Sequence, residues 1–160
     1  MKKSNDQTKS LKDRLTILIH VVFSTKNQAN LIDERIAPLL YTCIEGVLWE
    51  PYHSPALATG GGSDHVHILL GLSRTVTLDV LVREVKERSA VFMRSLGEKY
   101  KNLEWHEGFA AFTISRSDAK EIETYILRQR EFHAKTSFQD EYRSILTEHG
   151  IEYDENEMWD

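Results

Sequence analysis

Two histidines separated by a single residue, His65 and His67, occur in the apolar segment HVHILL. Side chains of a β-strand alternate between its two faces, so both imidazoles share one face, while the other face is wholly apolar and must form a core. Two imidazoles at this spacing are close enough to bind one metal ion. Alone, the pair is better explained as two surface histidines on a half-exposed strand, because such pairs are common, so it indicates metal binding only together with further residues.

A tyrosine and a glutamine, Tyr125 and Gln129, form a second pair in the segment TYILRQREFH. Residues four positions apart lie on the same face of a helix, and His133 continues this stripe by four more positions. Alone, such a stripe is typical of a surface tyrosine that covers the edge of a core. Its importance lies in its combination with the histidine pair.

The elements that must position these residues follow from hydrophobic periodicity and turn signals. Their order is β-α-β-β-α-β-α-α, with strands over 15–23, 56–60, 65–70 and 105–115, and helices over 34–50, 77–93, 118–133 and 138–149. Three glycines at 60–62 predict a turn before the histidine strand. This order predicts an α+β fold, a mostly antiparallel sheet with helices on one face, as in ferredoxin-like and RRM-like domains.

Length and composition indicate one globular domain. The chain has 160 residues, of which 41% are hydrophobic and 28% charged. It is too short for two ordinary cores and too apolar for wholesale disorder, so we assign 1–160 to a single domain with a flexible arm over 1–10. The one cysteine, Cys43, excludes an internal disulfide framework and a Cys-rich zinc site. Because no apolar run could span a membrane or serve as a signal peptide, we expect a cytoplasmic protein.

Charge is distributed unevenly along the chain. The net charge of −5 by itself argues against a nucleic-acid partner. Between 140 and 160, however, eight acidic residues accompany a single basic one, Arg143, so residues 1–139 carry a small positive balance. A phosphate-binding surface on the body is therefore allowed. The acidic segment over 137–160 contains an amphipathic helix, and we expect this segment to pack on the body.

Six segments, in their order and spacing, resemble the HuH single-tyrosine transposases. These are small transposases that move insertion sequences as single-stranded DNA, together with their REP-associated relatives. The segments are IHVVFSTK, HVHILL, LVREVKERSAVFMRS, WHEGFAAFTIS, ETYILRQREFH and FQDEYRSILTEHGIEYDE. Together they cover most of the chain, whereas no single segment would be specific.

The resemblance implies a role for each residue of the two pairs. His65 and His67 would ligate a divalent metal, with Gln129 as the third protein ligand. Tyr125 would attack a DNA phosphodiester, leaving a 5′-phosphotyrosine intermediate and a free 3′-OH. A phenol with a pKa of about 10 is a poor nucleophile at neutral pH, so a nearby cation would help. Because two histidines and an amide add no ligand charge, Mg²⁺ or Mn²⁺ completed by a DNA phosphate suits this set.

The resemblance also implies the partners. It predicts binding of single-stranded or hairpin DNA, association with the nucleoid when DNA is bound, and a homodimer in which the tyrosine helix can serve either subunit. The very apolar strand over 15–23 points the same way, because it would need a covered edge. We expect no membrane and no small-molecule substrate.

Further positions are weaker candidates. Asp64 could orient a histidine or simply end the turn, and His20 and His133 could support the ligands from behind. A buried core histidine is the simpler interpretation of His20. Four basic residues could contact DNA, namely Lys26, Arg83, Lys86 and Arg128. For Arg83 and Lys86, on the second predicted helix, a solvent-exposed helix face is the simpler interpretation.

Three functions from different classes remain open. A transposase that cleaves and rejoins single-stranded DNA is favoured, because all four active-site residues are present. The alternative is a catalytically inactive or domesticated module of the same fold that binds hairpin or single-stranded DNA. The third is an unrelated ferredoxin-like metal-binding protein whose histidine pair is a coincidence. A denaturation-resistant protein–DNA adduct would distinguish the first from the other two.

Overall fold

The structure, a computed structural model, describes residues 15–159. These residues form four strands and five α-helices, and two one-turn 3-10 helices cover Lys26–Gln28 and Glu98–Tyr100. The elements are β1 Leu18–Ser24, α1 Ala37–Trp49, β2 Ala56–Gly61, β3 His65–Gly71, α2 Leu78–Arg94, β4 Ala110–Ile114, α3 Ala119–Leu127, α4 Gln129–His133 and α5 Phe138–Glu148. The predicted arm over 1–10 lies outside the described residues.

The four strands form one antiparallel sheet in the order β2-β3-β1-β4. The predicted α+β fold is therefore confirmed. β1 is an inner strand that pairs with β3 from Leu18↔Gly71 to Ser24↔His65 and with β4 on its other side. Both edges of this apolar strand are paired within the chain, so the prediction that its edge calls for a partner subunit was wrong.

The main core lies on one face of the sheet. Every second residue of β1 and β3 points into it, including Val21, Phe23 and Ile68, and α1 and α2 cover this face. The apolar stripes of the two helices explain why they pack there, since Leu40 and Leu81 are completely buried. α1 and α2 match the predicted helices on one face of the sheet, whereas the C-terminal helices lie on the other face.

The opposite face of the sheet carries a second, smaller set of contacts. α3 packs there through Ile126 against Leu69, and α5 packs through Phe138 and Ile145 against Val22. The imidazoles of β3 lie between these two apolar clusters. The C-terminal helices α3 and α5 therefore cover the face of the sheet that carries the histidine pair.

β4 is shorter than the predicted strand over 105–115, and Lys86 binds the loop that precedes it. The Lys86 Nζ donates to the carbonyl oxygens of residues 106, 107 and 108 at 2.9, 3.0 and 2.7 Å. Of the residues before β4, Trp105 makes an isolated bridge with Thr25. Burial lowers the pKa of Lys86 to about 8.

Between Leu15 and Trp159, no helix is long and apolar enough to cross a membrane.

Asp33 anchors the chain in front of α1. Its Oδ1 accepts from the backbone N–H groups of Arg35 and Ile36 at 3.1 and 3.0 Å. Its Oδ2 accepts from Lys99 Nζ and the Tyr100 hydroxyl at 2.6 and 2.8 Å. The hydrogen bonds from Lys99, Tyr100 and Ile36 together hold the pKa of the Asp33 carboxyl well below its usual range.

Asp33→Asn is expected to lower stability at neutral pH, because an amide nitrogen cannot accept from Lys99 and Tyr100. A carboxyl with a depressed folded-state pKa contributes stability above its ordinary pKa of 3.8, and the contribution is lost as the pH falls through the folded value. The gap in urea midpoint between wild type and variant should therefore narrow in acid. Glu34→Gln, at the exposed neighbour, is the control. A gap that does not change with pH would contradict this assignment.

Candidate active site

The histidine pair lies on the face of β3 that α3–α5 cover. His65 and His67 are both completely buried, so neither is the surface histidine of the simpler interpretation. His20 on β1 is buried beside them, and its Nε2 lies 2.8 Å from His67 Nδ1. The ring of Phe138 stacks on His65 with centroids 4.2 Å apart. The pairing of β3 with β1 and β2 fixes the backbone of the two histidines, and the stacking of Phe138 fixes the ring of His65.

Glycines bring the tyrosine helix into direct contact with the sheet. A Cβ at Gly60 would lie 2.2 Å from the carbonyl oxygen of Ile126 in α3, so α3 can approach β2 this closely only over a glycine. A Cβ at Gly62 would lie 2.6 Å from Cε1 of His65. The turn predicted over 60–62 begins only after β2 ends at Gly61, and the glycines serve close packing instead.

Tyr125 and Gln129 stay together although the predicted helix over 118–133 is interrupted. Arg128, with φ −104° and ψ 19°, separates α3 from α4. Gln129 Oε1 lies 2.9 Å from His65 Nε2. The Tyr125 ring packs edge-on against the His67 ring, with centroids 5.7 Å apart. The structure thus brings the tyrosine, the glutamine and the histidine pair into one cluster.

A carboxylate that the sequence analysis missed, Glu141 of α5, completes the cluster. Its Oε1 lies 2.7 Å from His67 Nε2. Its Oε2 accepts hydrogen bonds from the Tyr125 hydroxyl and from Gln129 Nε2, the latter at 3.0 Å. His133 Nε2 lies 3.2 Å from the same oxygen. One carboxylate therefore contacts the histidine pair, the glutamine and the tyrosine.

A signal for Glu141 is present in the sequence. The residue lies three positions after Phe138 and four before Ile145, on the buried stripe of an amphipathic helix. A charged side chain in the middle of such a stripe is buried with its partners or is functional. Among eight acidic residues between 140 and 160, this position distinguishes Glu141 from its neighbours.

The hydrogen-bond pattern calls for a cation in the cluster. His65 Nδ1 lies 2.7 Å from Asp64 Oδ1, and His133 Nδ1 lies 2.6 Å from the Thr136 carbonyl oxygen. Both nitrogens must donate, because a carboxylate and a carbonyl only accept. Each neutral ring then has its lone pair on Nε2, and both Nε2 atoms face Gln129 Oε1, at 2.9 and 3.0 Å. Lone pairs that face an acceptor require a proton or a metal ion between them.

The orientation of the Gln129 amide supports the same conclusion. Its Nε2 donates to Glu141, so its oxygen must be the atom that faces the two imidazoles. The ligand atoms of His65, His67, His133 and Glu141 all lie within 4.8 Å of one another. Imidazole nitrogens and a carboxylate oxygen are ligands that divalent transition metals accept. The residues present therefore fit a divalent metal ion.

Burial and the hydrogen bonds of Glu141 act on the pKa values of His67 and His133 in opposite directions, and at His133 the contacts with Glu141 outweigh burial and raise the pKa. Burial lowers the pKa of His67 to about 4 and, together with the neighbouring His67, that of His20 to about 3. Burial and the charge of Glu141 raise the pKa of Tyr125 well above its usual range. Burial would also raise the pKa of Glu141, but hydrogen bonds from His133 and His67 outweigh it and hold this pKa well below its usual range. At neutral pH the cluster thus contains a phenol and a carboxylate.

The four basic residues that were predicted to contact DNA lie outside the cluster. Lys26 pairs with Glu104 at 2.6 Å, and Arg128 pairs with a glutamate of α4 at 2.9 Å. Arg83 is exposed. Lys86 is held by three backbone carbonyls, so a phosphate would have to replace those bonds.

Two clefts reach Tyr125 from solvent. One, of about 500 Å³ between α3 and α5, has an acidic lining that includes Glu121, Asp140 and Glu148. The other, of about 550 Å³ between α3 and α4, includes Arg128 and Lys135. A phosphate group would meet carboxylates in the first cleft, whereas the second cleft offers two cations together with two carboxylates of its own.

Comparisons with known proteins agree with this arrangement. No protein with a curated description matches the sequence. A candidate transposase from Deinococcus radiodurans R1 is similar in structure, with a TM-score of 0.59 and 21% identity, over 81% of this chain and 98% of that one. A REP-associated tyrosine transposase bound to a REP hairpin has a TM-score of 0.57 and 18% identity, over 78% of this chain and 74% of that one. At these identities the likeness shows the shared fold.

The family profile described as IS200-like transposase matches residues 14–129. This range is well over half of the chain, and it runs from before β1 to the first residue of α4. It includes the histidine pair and Tyr125, and it ends at Gln129. The protein therefore belongs to the IS200-like transposase family, as the resemblance in its sequence predicted.

Proposed function

We propose that this protein is a transposase that cleaves and rejoins single-stranded DNA at hairpin-bearing element ends, with Tyr125 as the nucleophile. One observation carries the proposal: a single carboxylate, Glu141, contacts both the Tyr125 hydroxyl and His67 Nε2. The tyrosine oxygen is thereby held beside the buried cluster that fits a metal ion. Membership in the transposase family supports DNA as the substrate.

In the proposed step, the Tyr125 oxygen attacks the phosphorus of a DNA phosphodiester, and the bond from phosphorus to the 3′ oxygen breaks. The phenol gives up its proton and the departing 3′ oxygen takes one up. The products are a 5′-phosphotyrosyl link and a free 3′-OH. Attack of a 3′-OH on this link rejoins strands without an external energy source, because the ester retains the energy of the broken bond.

His65, His67 and Gln129 would hold a divalent metal, Mg²⁺ or Mn²⁺. Once bound, the metal would supply positive charge that polarises the phosphate and offsets the charge that develops during attack. The task of the protein itself is to position the phenol. Burial and Glu141 raise the pKa of Tyr125, so its hydroxyl stays protonated until the charges of the substrate complex surround it.

The partners on this proposal are single-stranded or hairpin DNA and a second copy of the chain. One structural neighbour is a transposase bound to a REP hairpin, which supports hairpin DNA as the partner. Arg128 on the rim of the second cleft is the predicted DNA contact nearest to Tyr125, while Lys26 and Arg83 lie on the far side of the sheet. The protein would act in the cytoplasm and associate with the nucleoid when it binds DNA.

A catalytically inactive DNA-binding module of the same fold is the second candidate. The acidic cleft of α3 and α5 favours it, because Glu121, Asp140 and Glu148 would repel a DNA backbone that approaches Tyr125 from that side. Such a module would bind hairpin DNA and form no covalent link.

Labelling the two ends of a hairpin-bearing single strand separately tests the proposal. With Mn²⁺ present, the 3′-labelled strand should appear as a protein adduct that resists denaturation, because the tyrosine keeps the 5′ phosphate of the downstream piece. The 5′-labelled strand should appear only as a shortened free fragment.

Chelation of the metal should remove both products, and a duplex without a hairpin should give neither. Adduct formation with the 5′ label would contradict the proposed polarity. Hairpin binding without any adduct, from every element end and metal supplied, would favour the inactive module.

A further inference from the structure

Glu141 lies outside the segment that matches the family, which ends at Gln129. It belongs to α5, which places the carboxylate in the cluster with only 2% of the residue exposed. A buried carboxylate is costly unless its oxygens are paired. A residue kept at such a cost, and supplied by a helix beyond the matched segment, needs a specific reason to be there.

Both oxygens of Glu141 point at metal-ligating atoms. Oε1 lies 2.7 Å from His67 Nε2 and 3.7 Å from His65 Nε2. Oε2 lies 3.2 Å from His133 Nε2 and accepts the hydrogen bond of the Tyr125 hydroxyl. The carboxylate therefore spans the space between three imidazoles and the nucleophile.

We infer that Glu141 is a further ligand of the metal site and the residue that positions the Tyr125 hydroxyl beside it. The positioning role rests on the proposed function of Tyr125, whereas the ligand role does not. His133, from α4, joins the same set as a third imidazole. The residues after Gln129 thus contribute two ligands to a site whose other protein ligands lie within the matched segment.

The additional ligands change the charge and chemistry of the site. The set of His65, His67 and Gln129 is neutral and needs a DNA phosphate to complete it. With Glu141 the site gains a negative charge, and with His133 it gains a nitrogen ligand that transition metals prefer over Mg²⁺. The DNA-free protein should therefore bind Mn²⁺ or Co²⁺ on its own, and more tightly than Mg²⁺.

Calorimetry with Mn²⁺ on the DNA-free protein tests the ligand role. Glu141→Gln keeps the shape of the side chain and removes its charge. It should weaken Mn²⁺ binding at least about 10-fold, since even residues that only orient ligands change metal affinity by roughly 10- to 100-fold. Glu148→Gln makes the same change at the exposed end of α5 and should bind like wild type.

The absorption spectrum of bound Co²⁺ reports the ligand set directly, so it separates a ligand from a residue that merely supports the fold. Glu141→Gln should change this spectrum, while Glu148→Gln and Tyr125→Phe should retain the wild-type spectrum. Glu141→Asp keeps the charge on a shorter side chain and serves if Glu141→Gln does not fold. It should bind Mn²⁺ with intermediate affinity.

Two results would overturn the inference. One is equal Mn²⁺ affinity and an unchanged Co²⁺ spectrum in Glu141→Gln, and the other is a wild-type protein that binds neither ion without DNA. Neither result would contradict the proposal that Tyr125 cleaves DNA. Conversely, loss of Mn²⁺ affinity in Glu141→Gln, in a protein that forms no DNA adduct, would retain the ligand role and reject the proposed function.

Discussion

Tyr125→Phe is expected to reduce DNA adduct formation below detection while the fold and metal binding persist. The substitution removes the attacking oxygen and leaves the ring, which packs against His67 and His20. Glu141 loses one donor but keeps its contacts with His67 and Gln129. A lost hydrogen bond to a charged group costs about 1.5–3 kcal/mol, so a lower melting temperature but a cooperative transition should be measured.

Tyr142→Phe is the matched control for this experiment. Tyr142 lies on α5, and its ring packs against Phe138 and Trp159, away from the Tyr125 hydroxyl. Its phenylalanine variant should form the adduct at the wild-type rate. If Tyr142→Phe loses the adduct and Tyr125→Phe retains it, Tyr125 is not the nucleophile.

Gly60→Ala is expected to reduce both stability and cleavage, although Gly60 has no side chain and contributes to the site only through its backbone, which pairs with His67 in the sheet. Its new Cβ would lie 2.2 Å from the carbonyl oxygen of Ile126, and a backbone atom cannot move aside as a flexible side chain can. α3 must therefore shift away from β2 and carry Tyr125 with it. Overpacking of this kind costs about 1–3 kcal/mol, and a misplacement of about 1 Å at a reacting group costs roughly 100-fold in rate.

Gly46→Ala is the control, since it makes the same chemical change in the interior of α1. A Cβ there meets no atom within 4 Å among the described residues. Alanine should stabilise the helix by about 0.5–1 kcal/mol and leave cleavage unchanged. Urea unfolding and the adduct assay measure both effects. Wild-type cleavage by Gly60→Ala would show that α3 tolerates displacement.

The sheet and its two covering helices could be predicted because they depend on local periodicity. Alternation in HVHILL and the helical stripes of α1 and α2 are visible in the sequence and reappear as buried positions. Other features depend on contacts between distant segments. The position of β1 inside the sheet and the break at Arg128, which no glycine or proline marks, are of this kind.

The candidate site divides in the same way. The spacing of the two pairs made His65, His67, Tyr125 and Gln129 candidates, and the resemblance to a transposase family gave each of them an expected role. Charge alone does not distinguish Glu141, because it is one of eight acidic residues between 140 and 160. Its position on the apolar face of the helix does distinguish it. Its burial follows from the packing of α5 on Val22 and Phe112, which only the tertiary structure reveals.

The cluster also has a consequence for how the protein acquires activity during folding. Its contacts His20–His67, His65–Gln129 and His67–Glu141 join residues 47, 64 and 74 positions apart. Contacts over such separations close large loops, and they form only after most of the intervening chain is ordered. A nascent or partly unfolded chain would therefore hold its tyrosine and its histidines apart. We expect DNA cutting to appear only with complete tertiary structure, so misfolded copies of the protein would leave the genome uncut.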